Sequence, residues 1–359
     1  MSKLLKDVYT NSYLESVARE IKIHYKEFKT DLFLDLVFAS DWKELELKMR
    51  MKRITQSLHQ ALPKDYREAI DILTKAAPKF SGFEALFFPD FIEAYGKDKK
   101  HFNLSLSTLE ILTKYSSSEF AIRAFILEDE ARVMKKMLTW SKSKNYHVRR
   151  LASEGCRSRL PWAMALNRFK ESPNLILPIL ENLKNDPELY VRKSVANNLN
   201  DISKDHPEIV LDLAKKWYGE SAYTDWIVKH GLRTLLKSGN PSALKIFGYN
   251  NSRSIQVQEL TLITKKVKIG SNLNFKFLLN IIKRSRIRIE YKIYYLKSNG
   301  SHSSKVFKIT EGDFEKEVIE INKKQSFKEM TTRKHYKGEH FLSIVINGIE
   351  KEKVRFEVI

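Results

Sequence analysis

A worn repeat constrains this chain more than any other feature. Tyr146-His-Val-Arg-Arg-Leu-Ala recurs as Tyr190-Val-Arg-Lys-Ser-Val-Ala, with Val148 and Val191 separated by 43 positions. A third copy, Asp225-Trp-Ile-Val-Lys-His-Gly, places Ile227 a further 36 on, and Ser118-Glu-Phe-Ala-Ile-Arg is an earlier echo. A Val-Arg-x-x-Ala/Gly pattern opening the second helix of a pair, at spacings of about 40 residues, is the HEAT type of repeat. One such unit cannot bury its own apolar face. The copies are therefore expected to stack into a curved solenoid whose second helices line the concave side. An irregular α-bundle is the alternative.

The period of apolar residues agrees as far as about residue 250. Leu47, Met51, Ile54 and Leu58 form one helical stripe, with Lys48, Arg50, Lys52 and Arg53 off it. Helical segments are expected around Tyr66–Ala77, Phe88–Tyr95, Leu106–Tyr115, Glu119–Phe125, Glu130–Ser141 and Val148–Arg157. Further ones fall at Trp162–Phe169, Leu175–Asn185, Val191–Leu199, Pro207–Tyr218 and Trp226–Lys237, punctuated by prolines that open or block helices. From Val267 onward the period becomes two: Ile287, Ile289, Tyr291 and Ile293 share one face, with charges on the other. Turns are expected at Ser298-Asn-Gly-Ser, Thr310-Glu-Gly-Asp and Asn347-Gly. Six or seven short strands in that length predict an immunoglobulin-like β-sandwich without its disulfide. The expected organisation is thus an α-solenoid of HEAT-like repeats over residues 1–255 and an immunoglobulin-like domain over 260–359.

Charge narrows the partner. The net charge is +20, and the stretch from Gln258 to Ile359 holds 22 Lys and Arg against 12 Asp and Glu, half of that excess. Such a balance points to a polyanion, nucleic acid above all, or reflects a Lys-rich proteome. The one cysteine, Cys156, excludes an intrachain disulfide and a multi-cysteine zinc site. The start MSKLLKDVYT lacks an apolar core and a cleavage site, and no window approaches a membrane span. We therefore expect a cytoplasmic, nucleoid-associated protein, acting as a monomer without membrane, metal or cofactor. No phosphate-binding glycine loop, metal-ligand spacing or Ser-His-Asp set is present.

The stretch His147–Ala163 is the most informative for chemistry. On a concave-face helix Arg149, Arg150, Arg157 and Arg159 would gather near one groove and repel one another without an anion, and arginine suits phosphate. Arg192, Lys193, Asn198, Lys229 and Arg233 on the later repeats join them as candidate DNA contacts. Among the arginines sits Glu154, which could equally be an i, i+4 partner of Arg150. Trp162 follows the Pro161 break and could equally be a core anchor. Glu119 opens one helix, where an acid favours the N-terminus anyway. Asp201 ends the Asn197-Asn-Leu-Asn-Asp run, which could be a cap and turn. Three acids at equivalent ends of successive repeats inside a basic channel call for a cationic target. A non-catalytic repeat scaffold remains open on these residues, and an RNA-binding repeat protein fits the charge but not the acids.

The segments Trp42–Met51 (WKELELKMRM), Phe87–Gly96 (FFPDFIEAYG), Ser118–Arg123, His147–Ala163 and Val191–Pro207 closely resemble the AlkC family of bacterial alkylbase DNA glycosylases. Ser158 and Ala124 stand where the family more usually has proline, which bears on local turns only. The resemblance implies a monofunctional enzyme excising 3-methyladenine and 3-methylcytosine from alkylated double-stranded DNA. It implies catalytic-site roles for Glu119, Glu154, Trp162 and Asp201, and an immunoglobulin-like domain closing over the DNA from the minor-groove side.

Overall fold

The computed structural model describes residues 5–250, 254–329 and 334–359. The chain forms two compact units, residues 1–205 with 219–231, and residues 206–218 with 232–359.

The first unit is helical throughout. It runs α1 (Asn11–His24), α2 (Thr30–Val37), α3 (Leu47–Ala61), α4 (Tyr66–Ala76), α5 (Phe87–Tyr95) and α6 (Phe102–Leu112). It continues through α7 (Ala121–Glu128), α8 (Glu130–Trp140), α9 (Tyr146–Glu154), α10 (Asn167–Glu171), α11 (Leu177–Leu183) and α12 (Leu189–Ile202). After α13 (Pro207–Trp217), which belongs to the second unit, α14 (Ala222–Gly231) completes the first. Local chemistry starts these helices. The Thr10 hydroxyl accepts from the Tyr13 amide at 3.2 Å, Asp65 caps α4, Asp129 caps α8 and Asn145 caps α9. In α1, Leu14, Val17, Ala18 and Ile21 recur at i, i+3, i+4 and i+7 and are fully buried. Neither α1 nor α2 belongs to the repeat pattern. Arg50, expected off the stripe of α3, is buried instead. Its guanidinium donates to the carbonyls of Lys6 (2.8 Å) and Leu45 (3.1 Å) and lies over the Trp42 ring.

The repeat is visible as equivalent contacts. In α9 and α12 the first arginine of Val-Arg hooks back onto the preceding turn: Arg149 Nη1 onto Ser143 O and Lys144 O, Arg192 Nη1 onto Asp186 O and Pro187 O. The two helices pack through the Ser153 and Ser194 hydroxyls (2.6 Å) and through Asn198, which donates to Ser153 O at 2.8 Å. Helix α14 approaches α12 so closely that a Cβ at Gly231 would lie 3.1 Å from Leu199 Cβ. Two expected helices differ. Trp162–Phe169 is a turn followed by the short α10, and Trp226–Lys237 breaks at Leu232 into α14 and α15 (Arg233–Lys237).

The second unit groups α13, α15 and α16 (Pro241–Ile246) with eight strands among the described residues. These are β1 (Ile255–Leu262), β2 (Lys266–Val267), β3 (Asn272–Ile281), β4 (Ser285–Leu296), β5 (His302–Phe314), β6 (Glu317–Ser326), β7 (Gly338–Ile346) and β8 (Ile349–Val358). They form a β1-β3-β6 sheet and a β2-β8-β7-β4-β5 sheet. The core lies between the sheets, where Phe275, Phe277, Ile287, Ile289, Ile293, Leu342 and Ile344 are buried. Asn347 and Gly348, both at positive φ, make the tight β7–β8 hairpin as expected. The turn expected at Thr310–Asp313 is absent. β5 continues through it, just past a bulge at Ile309, with Arg288 paired to Glu311 and Ile287 to Gly312.

Alternation along β4 puts Arg288 and Glu290 on the face away from this core, yet both are buried. Arg288 bridges Glu290 and Glu311, each at 2.6 Å, and the Tyr249 hydroxyl donates to Glu311 at 3.0 Å. Asn347 Nδ2 donates to Asn250 O at 2.8 Å, and a Cβ on Gly348 would lie 2.7 Å from Gly239 Cα. The sheet is thus bonded to the helical stretch before it. By compactness, residues 206–218 and the stretch from Leu232 to Asn250 group with the sheet. Removing the bridging cation while Glu290 stays buried should cost about 3–5 kcal/mol. Arg288→Met is therefore expected to lower the urea midpoint of the β unit markedly. Arg355→Met, which breaks an exposed pair with Glu339, should cost about 1 kcal/mol or less.

Candidate active site

Helix α9 has two chemically distinct faces. Val148, Leu151 and Ala152 are buried toward neighbouring helices. Arg150 and Glu154, one turn apart, face a cleft of about 650 Å³ in the first unit, with Arg157 just beyond the helix end. The other walls are Ser81–Phe83, the loop Thr113–Phe120 between α6 and α7, the Leu160-Pro-Trp162 turn and Tyr190 of α12.

The charges of this cleft alternate in sign. Ser117 Oγ donates to Glu119 at 2.9 Å, and Arg150 Nη1 bonds both Glu119 and Ser117. Arg150 Nη2 lies 3.7 Å from Glu154, which accepts from Arg157 Nη1 at 2.7 Å. Arg157 Nε then donates to Asp201 at 2.9 Å, and Lys204 closes the row on Asp201 at 3.2 Å. Burial works against the charge of both guanidiniums. The carboxylates outweigh it, Glu119 and Glu154 at Arg150 and Glu154 and Asp201 at Arg157, so both stay charged with raised pKa values. The bonds to Glu119 all end on Oε2 and those to Glu154 on Oε1. One oxygen of each acid is left without a partner among the described residues.

Trp162 stands at the rim, 63% exposed, its ring edge-on to Phe83 at 5.9 Å. It is not a core anchor. Tyr190 lays its ring 4.4 Å from the Arg150 guanidinium, and His147 sits beside both. Burial, helped by the charge of Arg150, holds the His147 imidazole below its ordinary pKa.

Of the candidate catalytic residues, Glu119, Glu154 and Trp162 line one cleft. Asp201 is buried behind it as the partner of Arg157, inside α12 and not at a cap. The expected cluster of four arginines is two. Arg150 and Arg157 face the cleft, whereas Arg149 pairs with Asp186 (2.5 Å) and Arg159 with Asp205 (2.5 Å). The anion that relieves their repulsion is in each case a carboxylate of this chain. Arg192 is held by backbone carbonyls and lies over the Tyr223 ring at 4.2 Å. Lys193 is exposed, Lys229 of α14 is half-buried, and Arg233 of α15 is half-buried in the second unit. Asn198, with no exposed surface, is a bolt between α9 and α12 and presents nothing to DNA. Sequence reasoning missed Tyr190, Phe83 and His147. Tyr146 opens α9, and Tyr190 and Tyr223 are the second residues of α12 and α14, a recurrence hidden in the sequence by their different offsets from Val148, Val191 and Ile227. Among the described residues no helix is long and apolar enough to cross a membrane, and no group of His, Cys, Asp or Glu could hold a metal.

A helical-repeat unit with acids and arginines interleaved in one cleft is thus followed by an immunoglobulin-like sheet unit. Residues 113–235, which hold every charged wall of the cleft, match the family described as DNA alkylation repair enzyme. Residues 256–359 match the C-terminal Ig-like domain of YhaZ. The YhaZ protein of Bacillus subtilis (strain 168), described as uncharacterized, is 48% identical over 355 residues, 99% of either chain. The structure of Pseudomonas fluorescens alkylpurine DNA glycosylase AlkC, bound to DNA containing an abasic site analog, is 38% identical. It superposes with a TM-score of 0.96 over 99% of this chain and 100% of that one. The chain belongs to the AlkC family of DNA glycosylases.

The paired state of Arg149 can be checked directly. Arg149→Met leaves the buried Asp186 without its cation and should cost about 3 kcal/mol in stability. Affinity for undamaged duplex, measured where the variant is folded, should be unchanged. Lys193→Met should behave in the opposite way.

Proposed function

We propose that this protein is a monofunctional glycosylase, acting as a monomer on duplex DNA, that removes bases made cationic by alkylation at a ring nitrogen. 3-Methyladenine and 3-methylcytosine are its expected substrates. The observation that carries the reading is the pair of carboxylates, Glu119 and Glu154, each with one uncommitted oxygen in a cleft rimmed by Trp162. The Pseudomonas fluorescens relative is bound to DNA with an abasic-site analog, which resembles the product of such a reaction.

A cationic base is already a good leaving group, so no general acid has to protonate it. The remaining work is to stabilise an oxocarbenium-like sugar and to hold a water for attack, for which fixed carboxylates suit. Glu154, locked by Arg157 and Arg150, faces the developing sugar cation, and Glu119, bonded to the same Arg150 guanidinium, orients the water. Trp162 offers its ring face to the cationic base. Asp201 acts one step removed, by fixing Arg157. Lys193, Lys229 and Arg233, together with the basic sheet unit, supply affinity for the phosphate backbone that weakens with salt and carries little sequence preference.

The test is release of free 3-methyladenine or 3-methylcytosine from methylated duplex under single-turnover conditions. Binding without release would refute the assignment. Glu154→Gln and Glu119→Gln should each slow release by about 100-fold or more, the scale for losing a fixed electrostatic partner. Affinity for abasic-site DNA should stay within the same order. Lys114 lines the cleft, so borohydride reduction during turnover checks the monofunctional assignment, and a trapped protein–DNA adduct would overturn it. The sheet unit is best tested by Lys→Gln changes on its surface in the whole chain, which should flatten the salt dependence of binding. Truncation near residue 258 would instead strip the partners from Tyr249 and Asn250.

A further inference from the structure

Trp162 holds a backbone conformation that its own side chain does not explain. Its φ of +63° is left-handed, which costs a bulky residue on the order of 1–3 kcal/mol. The indole recovers little of this, being mostly exposed and touching Phe83 by an edge. Such a conformation persists only where the surroundings impose it.

Two cations from separate helices do so. Arg123 of α7 has no exposed surface, and all its bonds end on the carbonyls of the loop that carries Trp162. It donates to Gly155 O (3.0 Å) and Arg157 O (2.7 Å) on one side, and twice to Met164 O (3.0 and 2.5 Å) on the other. Burial pushes its pKa down to about 10, so it stays charged at neutral pH. Lys48 of α3 reaches the carbonyl of Trp162 itself, while its ammonium lies 4.7 Å from the centre of the Phe120 ring, next to Glu119. Trp162 also borders a second hollow of about 590 Å³ with Leu5, Leu47 and Lys48. Released from the clamp, the indole has room to leave the cleft.

We propose that Lys48 and Arg123 are positioning residues, which clamp the loop from both ends and hold the Trp162 indole over the mouth of the cleft. Lys48 is the adjustable member, because its side chain is partly exposed and its loss leaves the core intact. The inference rests on the assignment of Trp162 to the excision site, and its test separates the two.

Full-length protein carrying 5-fluorotryptophan has five fluorine signals, and Trp162→Phe identifies the relevant one. Lys48→Met is expected to shift or broaden that signal alone, and Lys48→Arg to restore it. The same Lys48→Met protein should release base about tenfold or more slowly, the scale for misplacing a reacting partner. Its affinity for abasic-site DNA should be unchanged, and Lys48→Arg should recover most of the rate. Combined with Trp162→Ala, Lys48→Met should add no further loss, because it acts through the indole. An unmoved Trp162 signal, or additive losses, would overturn the clamp. A moved signal together with normal excision by Trp162→Ala would uphold the clamp and remove Trp162 from the excision site.

Discussion

The row of charges Glu119, Arg150, Glu154, Arg157 and Asp201 holds the first unit's chemistry in place, and it works only when complete. Each member is largely withdrawn from water, so each costs several kcal/mol unless its neighbours satisfy it. The row draws one residue from the loop before α7, three from α9 and its exit and one from α12. It therefore fixes the register of successive repeats as well as the uncommitted oxygens of Glu119 and Glu154. The low dielectric that makes the row expensive also gives its uncommitted oxygens their force on a nearby cation.

Much of this was legible in the sequence. The repeat placed α9 and α12, the period-two run placed β3 and β4, and Glu119, Glu154 and Trp162 proved to share a cleft. The destination of each arginine was not legible. Arg149 and Arg150 are adjacent in sequence but point about 100° apart on a helix. One meets Asp186 and the other Glu119, and those partners are remote along the chain. A basic cluster next to acids reads the same whether its anions are phosphates or its own carboxylates.

The misread elements share a cause. Pro161 looked like the opening of a helix, but hydrogen bonds from Arg123 and Lys48 claim the loop carbonyls that a helix would need. Thr310-Glu-Gly-Asp looked like a turn, but pairing with β4 and the Arg288–Glu311 bridge carry the strand through it. In both places a contact from a charged side chain remote in sequence overrode local preference, and no window of neighbouring residues contains that information.

The contacts between the sheet and the stretch before it bear on how this architecture can change over time. Gly239 meets Gly348 with no room for a side chain on Gly348, Leu244 presses on the same hairpin, and Tyr249 and Asn250 are committed to Glu311 and Asn347. A lineage shedding the sheet would uncover an apolar, hydrogen-bond-hungry scar on α16 and the segments flanking it, prone to aggregation until resurfaced. The sheet is therefore not a cassette that recombination can attach or remove in one event. Its gain or loss must be accompanied by matched changes in the helices behind it.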